Sequence, residues 1–247
     1  MMKCIQYTIR KKIIIMITLR IINEDNFVDV IRLKVDDSQK DFIAPNVYSL
    51  AQAWLHYNKT KPFAIYYEET MVGFVLLDWD EDERTVGIWR FMIGKDFQNK
   101  GYGKASLIEI IKLIKSSVKF DMIHLSFVPG NEVAKHLYYS LGFRENGKLD
   151  VDEIIMTYPL TDNPKVGFRV ADSDDVDEIY EYLVQLNNVE HNVSSELLSK
   201  DNIEKHVEEQ KIVRYTIMGE MIGLSFNNEI FLLDKKYFDD ILKFIKK

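Results

Sequence analysis

The sequence predicts a mixed α/β protein: a larger domain on a mixed sheet, then a smaller domain that repeats its first half. Three observations predict it. Short aromatic and β-branched runs alternate with helical stripes, two of those runs stand back to back as a hairpin, and a pair of segments from the first half recurs near the end. The chain has 247 residues, 47% hydrophobic and 29% charged, a composition that builds a packed core rather than a disordered chain.

"ITLRII", residues 17–22, reads as the first strand. "DNFVDVIRLKV" then places Phe27, Val30, Ile31 and Val35 at helical spacing. Pro45 breaks the pattern, and Asn46 is placed to cap a second helix from about Val47. "PFAIYYEETMVGFVLLDWD" reads as a hairpin turning at Glu68-Glu69-Thr70, and "TVGIWRFMI" as a further strand. Gly101 and Gly103 follow, opening an apolar helix. "MIHLSFV" is the next strand. "NEVAKHLYYSLGF" is a helix with Val133, Ala134, Leu137 and Leu141 on one face and Gly142 at its C-terminal cap. "EIIMTYPL" is the last strand of the unit, and the polar, proline-bearing "LTDNPK", residues 160–165, reads as a linker.

Beyond the linker the opening pattern returns. "FRVADSDDVDEIYEYL" resembles "LRIINEDNFVDVIRLK", and "YTIMGEMIGLSF" resembles "YYEETMVGFVLL". Arg20 and Gly73 stand 53 positions apart; Arg169 and Gly223 stand 54 apart. The copy then stops, with no second glycine pair. The expected division is an extension over 1–15, a first domain over 16–161 and a degenerate half domain over 166–247. Met16 is favoured as the first residue of the native fold, and the half domain is expected to bind no cofactor.

The formal net charge of −7 argues against a nucleic-acid partner, which needs a basic footprint, and suits a cationic one. Cys4 is the lone cysteine, so no intramolecular disulfide can form, and a reducing cytoplasmic compartment is expected. The five histidines (His56, His124, His136, His191, His206) have no metal-ligand spacing, so no metal is expected. The isoleucine run after Arg10-Lys11-Lys12 meets Arg20 and "NEDN" too soon for a signal peptide or a membrane span.

A strand, a short loop, Gly101-Tyr102-Gly103 and a helix make a recognisable device. The helix start offers unpaired N–H groups and the positive end of a dipole, glycine lets an anion approach the backbone, and Lys100 and Lys104 add charge. A plain glycine turn with solvated lysines explains these residues equally well. A nucleoside-triphosphate P-loop does not, because Gln98 stands where its first glycine belongs; nor does a dinucleotide fingerprint, because Ser106 replaces its third.

The fuller pattern Gln98-x-x-Gly101-x-Gly103 resembles the acetyl-CoA pyrophosphate loop of the GNAT N-acetyltransferase superfamily. The element order from Ile17 to Leu160 and the run Asn131-x-x-Ala134-x-x-Leu137-Tyr138-x-x-x-Gly142-Phe143 are similar to that family as well. Within it, "DFIAPNVYSLAQA", "MVGFVLL" and "WRFMI" look like bacterial spermine/spermidine (diamine) acetyltransferases of the Blt type. The resemblance implies a GNAT-like acyltransferase domain followed by a truncated GNAT-like half domain. It implies acetyl-CoA as co-substrate and a direct attack by a primary amine of a small polyamine in a ternary complex. The implied partner is a small cationic amine, with no nucleic acid and no membrane, and a homodimer stays open.

Residue by residue, the resemblance assigns the pyrophosphate to the main chain of Gln98, Asn99, Lys100, Gly101, Tyr102, Gly103 and Lys104. It assigns the pantetheine arm to the backbone of Phe91, Met92 and Ile93 and to Asn131, and the general acid to Tyr138. The plain alternatives are a packing tyrosine and a helix-capping asparagine. No carboxylate lies on "TVGIWRFMI", so the general base is left open. Asp41 and Asp78, with Tyr48 and Trp89, are the residues put forward for the amine, and Trp79 is a further aromatic that could face it. Transfer to another amine (an aminoglycoside, an amino acid or a protein N-terminus) and a non-catalytic acyl-CoA-binding regulator remain as alternatives.

Overall fold

The computed structural model describes residues 15–190, 193–227 and 229–245. Of the expected 1–15 extension, only Ile15 lies among the described residues, and it packs against the main core.

The first unit runs β1 (Ile17–Ile21), α1 (Phe27–Arg32), α2 (Asn46–Leu55), β2 (Thr60–Tyr67), β3 (Thr70–Asp80), β4 (Thr85–Ile93), α3 (Tyr102–Ser116), β5 (Met122–Phe127), α4 (Glu132–Leu141), β6 (Arg144–Asp150) and β7 (Glu153–Pro159). Its strands form one sheet in the order β1-β2-β3-β4-β5-β7-β6. Among the described residues only β4 and β5 pair in parallel, and α3 supplies the crossover that a parallel pair needs. The apolar runs of β3 are buried on both faces. Val72, Val75 and Leu77 join a cluster under α3 and α4, while Phe74 and Leu76 join one that includes Val30 of α1 and Ala53 of α2.

Three local expectations are corrected. The strand β6 was not foreseen, because "RENGKLD" is an almost wholly exposed edge without apolar alternation. Asn46 does not cap α2: it is the first helical residue, buried, and its Nδ2 donates to the Val30 carbonyl at 2.8 Å, tying α2 to α1. Val133 is 70% exposed, so the buried face of α4 comprises Ala134, Leu137, Tyr138 and Leu141 without it. Gly142 does close α4 in the left-handed conformation.

The remainder runs β8 (Val166–Val170), α5 (Val176–Glu190), α6 (Lys200–Glu208), β9 (Ile212–Ile217), β10 (Glu220–Phe226), β11 (Glu229–Leu232) and α7 (Phe238–Ile245), with a sheet of order β11-β10-β9-β8. This is the element order of β1 through β4 over again. The likeness extends to a detail. Gly73 and Gly223 both sit beside a register shift, and a Cβ on either would strike the neighbouring strand's carbonyl, Met92 O at 2.5 Å or Phe231 O at 2.8 Å. The backbones there approach too closely for any side chain.

The two sheets meet at the β3–β4 turn. Phe168 N–H donates to Asp82 O at 2.9 Å, and Glu83 is buried between Arg169, Arg214 and Thr216. The 160–165 segment is pinned at both ends by Asp121, whose carbonyl takes Leu160 N–H at 2.8 Å and whose carboxylate takes Lys165 N–H at 2.7 Å. Asp175 joins the same buried cluster through Arg169, at 2.7 Å, and Arg214. Burial alone raises its pKa, but the Arg169 hydrogen bonds and the arginine charges outweigh that and hold it below the ordinary aspartate range. Its contribution is therefore present above that range and is lost as the pH falls through the depressed value. Asp175→Ala is expected to lower the unfolding free energy by about 3 kcal/mol, because two arginines stay buried with fewer counter-charges. A lowered urea midpoint at unchanged slope is the measurement.

Candidate active site

The site begins with a fault in β4. Its ladder with β3 slips one residue: Leu77 faces Ile88 and Leu76 faces Arg90, leaving Trp89 as the extra residue of a bulge. A bulge bends the strand that carries it. The pairing of β4 with β5 runs through Thr85–Met122, Val86–Ile123 and Gly87–His124 and stops there. Beyond it the two strands fork. A cavity of about 610 Å³ fills the fork, walled by residues 88–93 of β4, Ser126 and Phe127 of β5, and Asn131, Ala134, Leu137 and Tyr138 of the α4 segment.

At the end of β4 the chain turns into α3 through Asn99 (φ 59°) and Gly101 (φ 84°). Among the described residues, the N–H groups of residues 99–104 have no protein acceptor; helical bonding resumes at Ala105, which donates to Gly101 O at 3.1 Å. A run of bare donors on the first turn of a helix is a strong anion seat. Gln98 departs from this pattern. Its N–H donates to Lys95 O at 3.4 Å, and its side-chain amide donates to Ile93 O at 2.9 Å and to Gln39 at 2.7 Å, so it latches the loop to β4. Lys100 is tied to Asp96 O at 2.7 Å.

On α4, Asn131 caps the helix by accepting Ala134 N–H at 3.2 Å and also lines the cavity. The two tyrosines divide. Tyr138 is buried between Phe127 and Phe143 and borders the cavity, and among the described residues its hydroxyl has no partner. Tyr139 points away and donates to Glu145 at 2.8 Å. Burial, then the charge of Glu153, pushes the Tyr138 phenol well above the usual tyrosine range.

Of the residues put forward for the amine, Trp89 lies at the fork and Asp41 is exposed at the cavity's edge. Asp78 is half-buried in a second cavity on the β4–β5–β6–β7 side of the fork. Tyr48 is 55% exposed on α2 and borders neither cavity. Trp79 is not at the site: it faces the opposite side of the sheet, edge-on to Phe120, with the Lys61 ammonium 4.2 Å above its ring.

The structure adds residues that the sequence did not disclose. Glu153 at the start of β7 accepts a short hydrogen bond from Ser126, and both border the main cavity with Tyr138. Arg90 lines that cavity too. One of its guanidinium nitrogens donates to Trp89 O at 2.7 Å, while its buried Nε has no partner, and burial pulls its pKa down. His124 and Asp150 border the second cavity. Nothing in the sequence singles out Glu153 or Ser126. They lie 27 positions apart and meet only through the antiparallel register of β5 with β7.

Comparison with known proteins agrees with this geometry. Residues 27–143 match the acetyltransferase (GNAT) family. The chain is 34% identical over 141 residues to a probable spermine N(1)-acetyltransferase of Bacillus subtilis subsp. natto, covering 54% of this chain and 91% of the relative. It is 33% identical, with the same coverage, to a spermine/spermidine N(1)-acetyltransferase of Bacillus subtilis strain 168. Its fold resembles that of a spermidine N-acetyltransferase from Vibrio cholerae solved with CoA and spermine, at a TM-score of 0.50 and 18% identity, over 58% of this chain and 95% of that one.

Proposed function

The chain belongs to the acetyltransferase (GNAT) family, and on that premise we propose that it transfers an acetyl group from acetyl-CoA to a primary amine of a small polyamine. The observation that carries the reading is the forked β4–β5 pair opening beside the bare N–H groups of residues 99–104. A diphosphate fits those donors, and an extended arm fits the strand edge left without a partner. The Bacillus subtilis relatives, named for spermine and spermidine, support the acceptor class.

Acetyl-CoA supplies an acyl carbon activated by its thioester. The main chain of Asn99, Lys100, Gly101, Tyr102, Gly103 and Lys104 holds the diphosphate, with Gln98 bracing the loop from behind. The backbone of Phe91, Met92 and Ile93 aligns the pantetheine arm, and Asn131 borders it. The amine nitrogen forms the new C–N bond as the C–S bond breaks. The ammonium must first lose a proton, since a free amine carries one at neutral pH. Glu153 is placed to take it, oriented by Ser126. Tyr138 stands protonated beside the same cavity and donates to the departing sulfur. Asp41, Asp78 and Trp89 face the acceptor, with Tyr48 further out on α2.

A thiol-release assay tests this, with acetyl-CoA against spermidine, spermine, putrescine and a panel of unrelated amines. Turnover confined to the polyamines is the expected result, and turnover of unrelated amines alone overturns it. One observation favours a second reading. The Arg90 guanidinium, whose residue lines the main cavity, suits an acceptor that carries a carboxylate, so the panel includes amino acids. Glu153→Gln is expected to lower kcat about a hundredfold near neutral pH, the size of a lost general base. A wild-type pH–rate profile in the variant removes Glu153 from the proton path.

A further inference from the structure

The outward side of α2 carries apolar residues at the spacing of a buried helix face. Val47, Ala51, Trp54 and Leu55 stand at i, i+4, i+7 and i+8, all of them exposed: Val47 by 56%, Trp54 by 76% and Leu55 by 74%. Just beyond the helix Tyr57 is 76% exposed, and its ring lies 6.1 Å from that of Trp54. We infer that this face is the contact between two copies of the chain, α2 of one against α2 of the other across a twofold axis, so that the protein is a dimer in solution. The pairing holds whatever the acceptor of the reaction is.

The helix cannot hide these residues by turning, because its inner side is already packed. Asn46, Ser49 and Ala53 are buried, and Leu50 packs with Val30 and Phe74. Hydrogen bonds hold that side in place along its length. Asn46 Nδ2 donates to Val30 O at 2.8 Å, Gln52 accepts from Arg90 at 3.3 Å, and Thr60 Oγ1 donates to Ala53 O at 2.9 Å. A helix held on its inner side and apolar on its outer side has room for a second partner.

Charge and area both point to a second copy as that partner. Residues 42–58, "FIAPNVYSLAQAWLHYN", contain no Asp, Glu, Lys or Arg, in a chain that is 29% charged. A charged partner finds no counter-charge there, and neither does a membrane surface, whose anionic headgroups recruit helices through lysine and arginine. A face that meets itself across a twofold axis sets each residue near its own kind. An uncharged stripe permits that and a charged one opposes it, the more so in a chain of net charge −7. A whole aromatic side chain covers about 150–250 Å², so the exposed fractions of Val47, Trp54, Leu55 and Tyr57 add up to about 600 Å² in each copy. A standard interface takes about 600–1,000 Å² from each partner, so the stripe reaches that range before its flanks are counted. Tryptophan and tyrosine are the residues on which interface cores are built, and Trp54 is placed to be the anchor.

Sedimentation equilibrium of the full chain tests this. The wild type is expected to sediment with twice the mass of one chain, with a dissociation constant of about 1 µM or tighter. Trp54→Glu sets a carboxylate against its own symmetry mate and is expected to weaken the dimer at least about a hundredfold, the size of a lost anchor. Leu55→Glu is expected to act in the same direction. Both residues are exposed, so the fold of the single chain should survive, and far-ultraviolet circular dichroism checks it. Val189→Glu is the control, since Val189 is as exposed but lies on α5, and its dimer is expected to match the wild type. A wild type that stays monomeric at about 100 µM overturns the pairing. So does a dimer that Trp54→Glu leaves intact, or one that Val189→Glu breaks equally. A monomer that instead co-sediments with phosphatidylcholine vesicles gives the face to a membrane and removes the dimer. The mass is read without any substrate, so a protein that acetylates no amine loses the proposed function and still decides the dimer.

Discussion

Gly101→Asp raises the dissociation constant for acetyl-CoA at least about a hundredfold in calorimetry, a loss of about 2.7 kcal/mol. Two effects add. Gly101 sits at φ 84°, where an L-residue is strained by about 1–2 kcal/mol. The new carboxylate also stands at the positive end of α3, amid the bare donors of residues 99–104, competing for the N–H groups that hold a diphosphate and repelling it. The fold should survive, because the nearest atom to a Cβ at Gly101 is the tip of Ile15, at 3.0 Å. Gly101→Ala separates the two effects, since it keeps the strain and omits the charge. Gly103→Ala is the tolerant control: its backbone is not left-handed, and its Cβ would make an ordinary 3.4 Å contact with Leu137. Undiminished acetyl-CoA binding by Gly101→Asp would remove the diphosphate from the start of α3, and the proposed function with it.

Tyr138→Phe lowers kcat about a hundredfold and leaves Kd for acetyl-CoA within about twofold, the pattern of a group needed only as the sulfur departs. The ring keeps its place between Phe127 and Phe143, so packing changes little. The sign of the pH dependence follows from the shift. Burial and the Glu153 charge hold the phenol protonated above the ordinary tyrosine value, so the acid form is present through neutral and mildly alkaline pH. The wild-type rate is expected to rise as the acceptor amine loses its proton, with no fall from Tyr138 below about pH 10. A variant as fast as wild type across that range means the sulfur takes its proton from elsewhere.

The parts of this site that could be read in advance are those whose signals are local. Gln98, Gly101 and Gly103 lie within six positions, and the capping role of Asn131 and the end of α4 at Gly142 are likewise written within a turn of where they act. Choosing between Tyr138 and Tyr139 required the family pattern, because both occupy a helix and neither neighbour in sequence says which faces the fork. Trp79 and Trp89 show the limit again. Similar as residues, they end on opposite faces, one against Phe120 and the other at the fork. The bulge at Trp89 depends on the register with β3, which no short window contains.

The order of elements apart from β6, the glycine turn into α3, the helix of α4 and the return of the opening pattern after residue 165 were legible in the sequence alone, since each is written in a pattern of residues along the chain. Only the tertiary structure decided that β4 and β5 part beyond Gly87, that Glu153 meets Ser126, and that Asp78, His124 and Asp150 border one cavity. Those residues come from different strands of one sheet. Their meeting is a matter of strand register, and register is set by the packing of the whole sheet against its helices rather than by any stretch of sequence that can be read by itself.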